Sequence, residues 1–256
     1  MTAAAAALSA LLGLVVGLFL DVLVDRVPAK EPVLAGRWRC PRCPEDADRP
    51  GLPVAVWLRP GSPCPVCGRP LPARYVLVPL ANAALFAAVT VRLGVGWDLP
   101  AYFVLFSALL AISVIDLQHQ IIPNRIVYPA IFLAIPLLAV AALARHDLSA
   151  LWRALVSAAL AWLVLLVIHL VSPAGMGFGD VRLSFLLGLF LGWLSYGHVV
   201  TGLFLGFLLG AVVGLVLVAL RLRSRTDHVP FGPFLAAGAV LAILVGEPLV
   251  RAWLGS

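Results

Sequence analysis

Apolar residues run nearly unbroken for long stretches of this chain, and polar residues gather in the connections between them. The apolar segments fall near residues 3–24, 76–95, 100–116, 123–144, 150–171, 181–196, 198–220 and 231–250. A helix needs ~20 apolar residues to cross the hydrocarbon layer of a bilayer. Inside that layer only helices and closed barrels satisfy their own backbone. The pattern therefore predicts an all-α polytopic membrane protein with about eight transmembrane helices. Several segments are short, as expected where a helix ends early at a buried polar site. Between 181 and 220 the only break is Tyr196-Gly197-His198.

Composition agrees. The 256 residues are 62% hydrophobic and 12% charged, against roughly 45–50% and about 25% in soluble domains. Lipid must be the solvent for most of this surface. The net charge of +6 would suggest nucleic acid in a soluble protein, but no basic-aromatic interleaving supports base stacking, so nucleic-acid binding is excluded. The basic residues mark orientation instead. No Lys or Arg precedes Arg26, so the first apolar stretch lacks the positive flank of a secretory signal and reads as a retained helix. With the N-terminus outside, fourteen of the 18 basic residues fall on the cytoplasmic side; only Arg92, Arg145, Arg153 and Arg251 fall outside. That asymmetry obeys the positive-inside rule.

The organisation expected is a first transmembrane helix over residues 1–25, a cytoplasmic domain over 26–75, and a seven-helix membrane domain over 76–256. The middle segment holds all four cysteines, as Cys40-Pro-Arg-Cys43 and Cys64-Pro-Val-Cys67. Two CxxC pairs at this separation suit a tetrahedral structural zinc, each tight turn offering two thiolates to one ion. Two disulfides are the alternative, opposed by a reducing cytoplasm.

Two acids differ from the rest. Asp116 ends the apolar run Ala101–Ile115, and Asp180 follows Gly177-Phe178-Gly179 at the start of another hydrophobic segment. The inferred topology puts both at the cytoplasmic ends of their helices, where a carboxylate usually faces a polar cavity. Two carboxylates a few ångströms apart share a proton. The ionised one takes a proton from water while the protonated one polarises a scissile carbonyl. The bland alternative is that each acid caps a helix N-terminus. Pro123 suits the first turn of the helix after Asp116. Gly177 and Gly179 leave backbone free of Cβ atoms where a substrate chain would approach. Pro230, Gly232 and Pro233, on the same side, offer a place for an extended substrate to dock.

Taken in order, these residues resemble the prepilin peptidase, or type IV leader peptidase, family. The resemblance runs over nearly the whole chain: Gly17-Leu18-Phe19-Leu20-Asp21 through Arg26-Val27-Pro28, the two CxxC pairs, Arg74-Tyr75, Asp116 with Ile122-Pro123, Gly175-Met176-Gly177-Phe178-Gly179-Asp180, and Pro230-Phe231-Gly232-Pro233-Phe234. It implies an intramembrane aspartic endopeptidase of the bacterial inner membrane that removes the basic leader from prepilins or pseudopilins at the cytoplasmic face. It also implies Asp116 and Asp180 as the catalytic pair and Cys40, Cys43, Cys64 and Cys67 as metal ligands. In many members N-methylation of the new terminus with S-adenosylmethionine follows. Asp21, Pro79 and Arg182 stand where the family usually has Asn, Glu and Lys; the first two lie in the half linked to methylation. No glycine-rich nucleotide fingerprint is present. A transporter with an aspartate proton or cation relay is the main alternative, but it would show internal repeats and acids near the midplane.

Overall fold

A computed structural model of the protein describes residues 2–33, 72–173, 176–221 and 230–254. Every regular element among them is a helix: α1 (Thr2–Arg26), α2 (Arg74–Leu93), α3 (Leu99–His119), α4 (Asn124–Ala144), α5 (Leu148–Val171), α6 (Phe178–Leu194), α7 (Tyr196–Ala219), α8 (Gly232–Val245) and α9 (Glu247–Leu254). Six of these, α1 to α5 and α7, are long and apolar enough to cross a membrane. α6 and α8 are equally apolar but shorter, at 17 and 14 residues. The outward side chains of the six long helices are those of a lipid-facing surface: Leu8 of α1, Phe132 of α4, Val171 of α5 and Leu215 of α7 all lie exposed. The described residues are thus all-helical, as in a multi-pass membrane protein. The cysteine-bearing residues 34–71 lie outside the described residues, and with them the expected metal domain.

Helix boundaries follow local chemistry more closely than hydropathy does. α3 continues past Asp116 to His119, ending where Gln120 takes a left-handed φ of 55° and its N–H bonds the Asp116 carbonyl at 2.8 Å. Asp116 therefore sits inside the last turn rather than at the helix end. Pro123 is the residue before α4, not a member of its first turn; its extended backbone lets its carbonyl accept from Ile126 and Val127. The segment expected over 231–250 divides at Gly246 into α8 and α9, with Pro248 entering the second helix, where its missing N–H does no harm. Ser195 separates α6 from α7, its hydroxyl accepting from the His198 N–H at 3.2 Å.

The chain forms two compact units, Met1–Val91 and Arg92–Ser256. In the first, Ser9, Gly13, Gly17 and Asp25 lie at multiples of four residues along α1 and meet α2. Ser9 takes a hydrogen bond from Thr90 at 2.8 Å, and the Gly13 carbonyl takes one from Asn82 at 2.9 Å. A Cβ on Gly17 would fall 2.4 Å from the Pro79 Cα. Asp25 accepts from the Tyr75 hydroxyl at 2.7 Å and pairs with Arg74. Close backbone approach of this kind is how helices associate where lipid removes the hydrophobic driving force.

In the second unit the same device recurs. Gly188 and Gly192 of α6 face Ala154, Ser157, Ala158 and Ala161 of α5, while Gly202 and Gly206 of α7 lie against Leu235, Gly238 and Ala242 of α8. α3 and α6 both pack on α8. At one end of these helices a polar cluster is fully paired: Asp98, 3% exposed, accepts from Arg145 at 2.6 Å and from the Trp193 indole at 3.1 Å. Arg153 of α5 closes the end of α6 by donating to the carbonyls of Gly192 and Trp193 at 2.8 and 2.6 Å.

Close packing at these glycines sets an expected outcome. A Cβ on Gly188 would meet the Ser157 carbonyl oxygen at 2.6 Å, whereas Gly214 has nothing within 4 Å. Gly188→Ala should destabilise the folded protein by about 1–3 kcal/mol. Gly214→Ala should leave stability unchanged or slightly raised, since alanine favours helix by about 0.8–1.0 kcal/mol. Thermal unfolding in detergent micelles distinguishes the two.

Candidate active site

At the opposite end of α3 from Asp98, the carboxylates of Asp116 and Asp180 line one cavity of about 480 Å³. Counted along the helix axis, 18 residues separate Asp98 from Asp116, roughly 27 Å at 1.5 Å each. The fully paired cluster and the cavity are therefore about a hydrocarbon thickness apart. Both site acids are almost wholly buried, at 4% and 5% exposure. The remaining lining comes from Gln120, Ile121 and Ile122 of the α3–α4 connection, from Pro173 and Met176 to Gly179, and from Arg182, Pro230 and Phe231.

The local chemistry of each acid differs. Asp180 is the third residue of α6; its N–H bonds the Gly177 carbonyl at 3.1 Å. Its Oδ1 is buried and has no hydrogen-bond partner. Asp116 Oδ2 accepts the backbone N–H of Gly232 at 3.1 Å. Gly232 opens α8, so Asp116 does cap a helix N-terminus, but that of a helix 116 positions away. At the start of α6 the N-cap residue is Gly177, which has no side chain, and the backbone N–H groups of Gly177 and Asp180 act on the Asp180 carboxylate. The capping alternative thus describes Asp116 across the fold and Asp180 within its own first turn.

Three glycines have distinct uses. A Cβ on Gly232 would lie 2.7 Å from Asp116 Oδ2 and 3.1 Å from Ile122 Cδ1; one on Gly179 would lie 2.8 Å from Ile122 Cβ. Ile122 is wedged between the two bare backbones and closes the cavity wall. The space a Cβ would take at Gly179 is consequently filled by the protein's own isoleucine, while Gly179 still lines the cavity. Gly177 keeps its space, with only Asp180 Oδ2 at 3.4 Å and the Gly179 nitrogen at 3.9 Å.

Of the other residues singled out from sequence, Pro230 lines the cavity. Pro233 lies in the first turn of α8. The carbonyls those prolines leave without helical donors belong to residues within 222–229, outside the described residues, while the Phe231 carbonyl is taken by the N–H groups of Phe234 and Leu235. His119 is exposed. Asp21, in the first unit, is fully buried with both carboxylate oxygens unpartnered. Among the described residues no group of three or more His, Cys, Asp or Glu could hold a metal ion. Cys40, Cys43, Cys64 and Cys67 lie outside them. Ile122 and the Gly232 N–H are the residues sequence reasoning missed; a backbone donor carries no side-chain signal.

Comparison with known proteins bears on the same segments. A family profile described as the type IV leader peptidase family matches residues 103–218, and one described as the bacterial peptidase A24 N-terminal domain matches residues 11–93. Among curated relatives, a prepilin leader peptidase/N-methyltransferase of Pseudomonas aeruginosa is 32% identical over 95% of this chain and 91% of its own length. Proteins of the same name from Bacillus subtilis and Aeromonas hydrophila are each 31% identical, covering 93% and 95% of this chain and 93% and 92% of their own. No solved structure matches. The two profiles fall on the two halves of the chain in the family's order, and the relatives align from end to end: this chain belongs to the type IV leader peptidase family.

Proposed function

We propose that this protein is an aspartic endopeptidase that cuts the leader from prepilins or pseudopilins, with Asp116 and Asp180 as its catalytic pair. The observation that carries the reading is the single cavity into which the fold brings two buried acids 64 positions apart. They are close enough to act on each other electrostatically, and two such carboxylates share one proton rather than both ionising. A water held between them loses a proton to the ionised partner and adds to the scissile carbonyl, which the protonated partner polarises. The tetrahedral intermediate then collapses as the leaving amine takes up a proton from the pair. Overall the peptide bond is exchanged for a carboxylate and an amine, with one water consumed. The Gly232 N–H fixes the Asp116 carboxylate for this work, and Ile122 gives the cavity an apolar wall.

The topology that fits the basic residues puts the N-terminus outside and this cavity near the cytoplasmic face of the inner membrane. A leader cut there leaves the following hydrophobic helix of the substrate in the bilayer. Residues 26–75 form a small cytoplasmic domain, and residues 76–256 the membrane domain that carries the site. Four thiolates in two CxxC pairs match the donor set of a closed structural zinc site, so Cys40, Cys43, Cys64 and Cys67 would hold the ion and staple that domain. No chemical step passes through it. The relatives' second name, N-methyltransferase, supports methylation of the new N-terminus. S-adenosylmethionine would supply the methyl group, and the amine would lose a proton on receiving it. The transporter reading is not favoured, because the relatives are named as peptidases and the acids lie in the terminal turns of their helices, away from the midplane.

Three outcomes are expected. Purified protein in detergent or lipid should make one cut in a prepilin at its leader boundary, and Asp116→Ala and Asp180→Ala should each lower the rate by about 10⁴-fold or more; normal cutting by either would remove the pair. Metal analysis should find one zinc per chain, and Cys40→Ser should lose it. Mass spectrometry of the cut product, with S-adenosylmethionine supplied, should show an added ~14 Da, the mass of CH₂, since a methyl group replaces an amine proton.

A further inference from the structure

The turn that delivers Asp180 is tied to the end of α5 by a histidine. His169 lies half-buried in the last turn of that helix, its Nδ1 2.8 Å from the Met176 carbonyl oxygen. A carbonyl only accepts, so Nδ1 carries the proton and, in the neutral ring, Nε2 is left as the acceptor. The same ring rests against Phe178, with centroids 5.5 Å apart. Arg182 lies over the Phe178 ring at 4.6 Å and donates to Asn124 Oδ1 at the start of α4. A run of contacts therefore crosses from α5 through α6 to α4, and it brackets the Gly177–Gly179 turn on both sides.

Met176 directly precedes Gly177, whose carbonyl receives the Asp180 N–H. Glycines at 177 and 179 leave this stretch little stiffness of its own. Something outside it must set where Asp180 points. Gly179 is fixed by Ile122 on one side; on the other, the contacts that reach back to a rigid helix are those of His169. His169 itself is not among the cavity-lining residues, so it cannot touch a substrate there.

We propose that His169 is a positioning residue for the catalytic turn, holding the Met176 carbonyl and the Phe178 ring so that Asp180 meets Asp116 across the cavity. The proposal rests on the reading of Asp180 as catalytic. A small misplacement of a reacting group costs rate far out of proportion to its cost in stability; Met176 and Phe178 also line the cavity, so a smaller change in KM accompanies the loss of rate.

Steady-state cleavage of a prepilin by the full-length protein in lipid, with thermal unfolding measured alongside, tests this. His169→Ala should lower kcat by about tenfold or more, with a smaller change in KM and an unfolding temperature near that of the unmodified protein. His169→Asn places an amide N–H close to the Nδ1 position and should restore most of kcat; His169→Gln places its amide one bond further out and should not. A normal kcat in His169→Ala would overturn the proposal, as would equal loss in the Asn and Gln variants, which would reduce His169 to packing. If His169→Ala unfolds, the Asn–Gln contrast decides alone. Asp180→Ala in the same assay separates the two readings: its inactivity beside a normal His169→Ala defeats this inference and leaves the proposed function standing.

Discussion

A carboxylate set among apolar helices has few places to turn, and Asp116 turns to a backbone N–H. The bond from Gly232 joins the last turn of α3 to the first turn of α8, and the surroundings are shaped by its requirements. No side chain can stand at Gly232, because it would displace the carboxylate. Ile122 fills the gap that remains and reaches across to Gly179, which brings the Asp180 turn against the same wall. One hydrogen bond and one isoleucine thereby help bring two distant acids to one cavity. A carboxylate held this way is oriented before any substrate arrives, which is what an electrostatic catalyst requires.

The remainder of the second unit serves to keep those helix ends where they are. Small residues let α5 lie against α6 and α7 against α8 at backbone distance, an arrangement that lipid cannot compete with as it would with larger side chains. At the far end, Asp98, Arg145 and Trp193 satisfy one another, so the charge buried there is already neutralised and hydrogen-bonded. At the cavity end, Asp180 keeps an oxygen without a partner. Satisfied polar groups at one end and a carboxylate oxygen without a partner at the other fit the proposed division between an anchor and a reactive site.

How far the sequence foretold this depends on what kind of interaction is involved. Long apolar runs are visible as composition, and the helices from α1 to α7 lie within a few residues of the segments expected from hydropathy. The divergences arise where a single backbone torsion or bond decides: Gln120 adopting a left-handed turn extended α3 past Asp116, and Gly246 split the last segment. Asp116, Asp180 and the glycines were legible because acids in apolar sequence are costly and rare. Their mutual geometry was not, since the Gly232 N–H and the wedge of Ile122 depend on residues more than fifty or a hundred positions apart meeting in space. Neither an amide hydrogen nor an ordinary isoleucine announces such a role. A missing side chain reveals only that something comes close, not what, and at Gly179 the fold brings Ile122 against the bare backbone. That the partner of His169 is the carbonyl next to Gly177 became apparent only from the fold.

The central claim is that both carboxylates work on one reacting carbon. It is tested most directly by a structure of the protein with a leader peptide whose scissile bond is replaced by a hydroxyl-bearing tetrahedral carbon. The account predicts that the hydroxyl sits within hydrogen-bond reach of Asp116 and Asp180 at once, with the Gly232 N–H still on Asp116. A peptide bound with that carbon touching only one of the acids, or lodged outside the cavity, would contradict it.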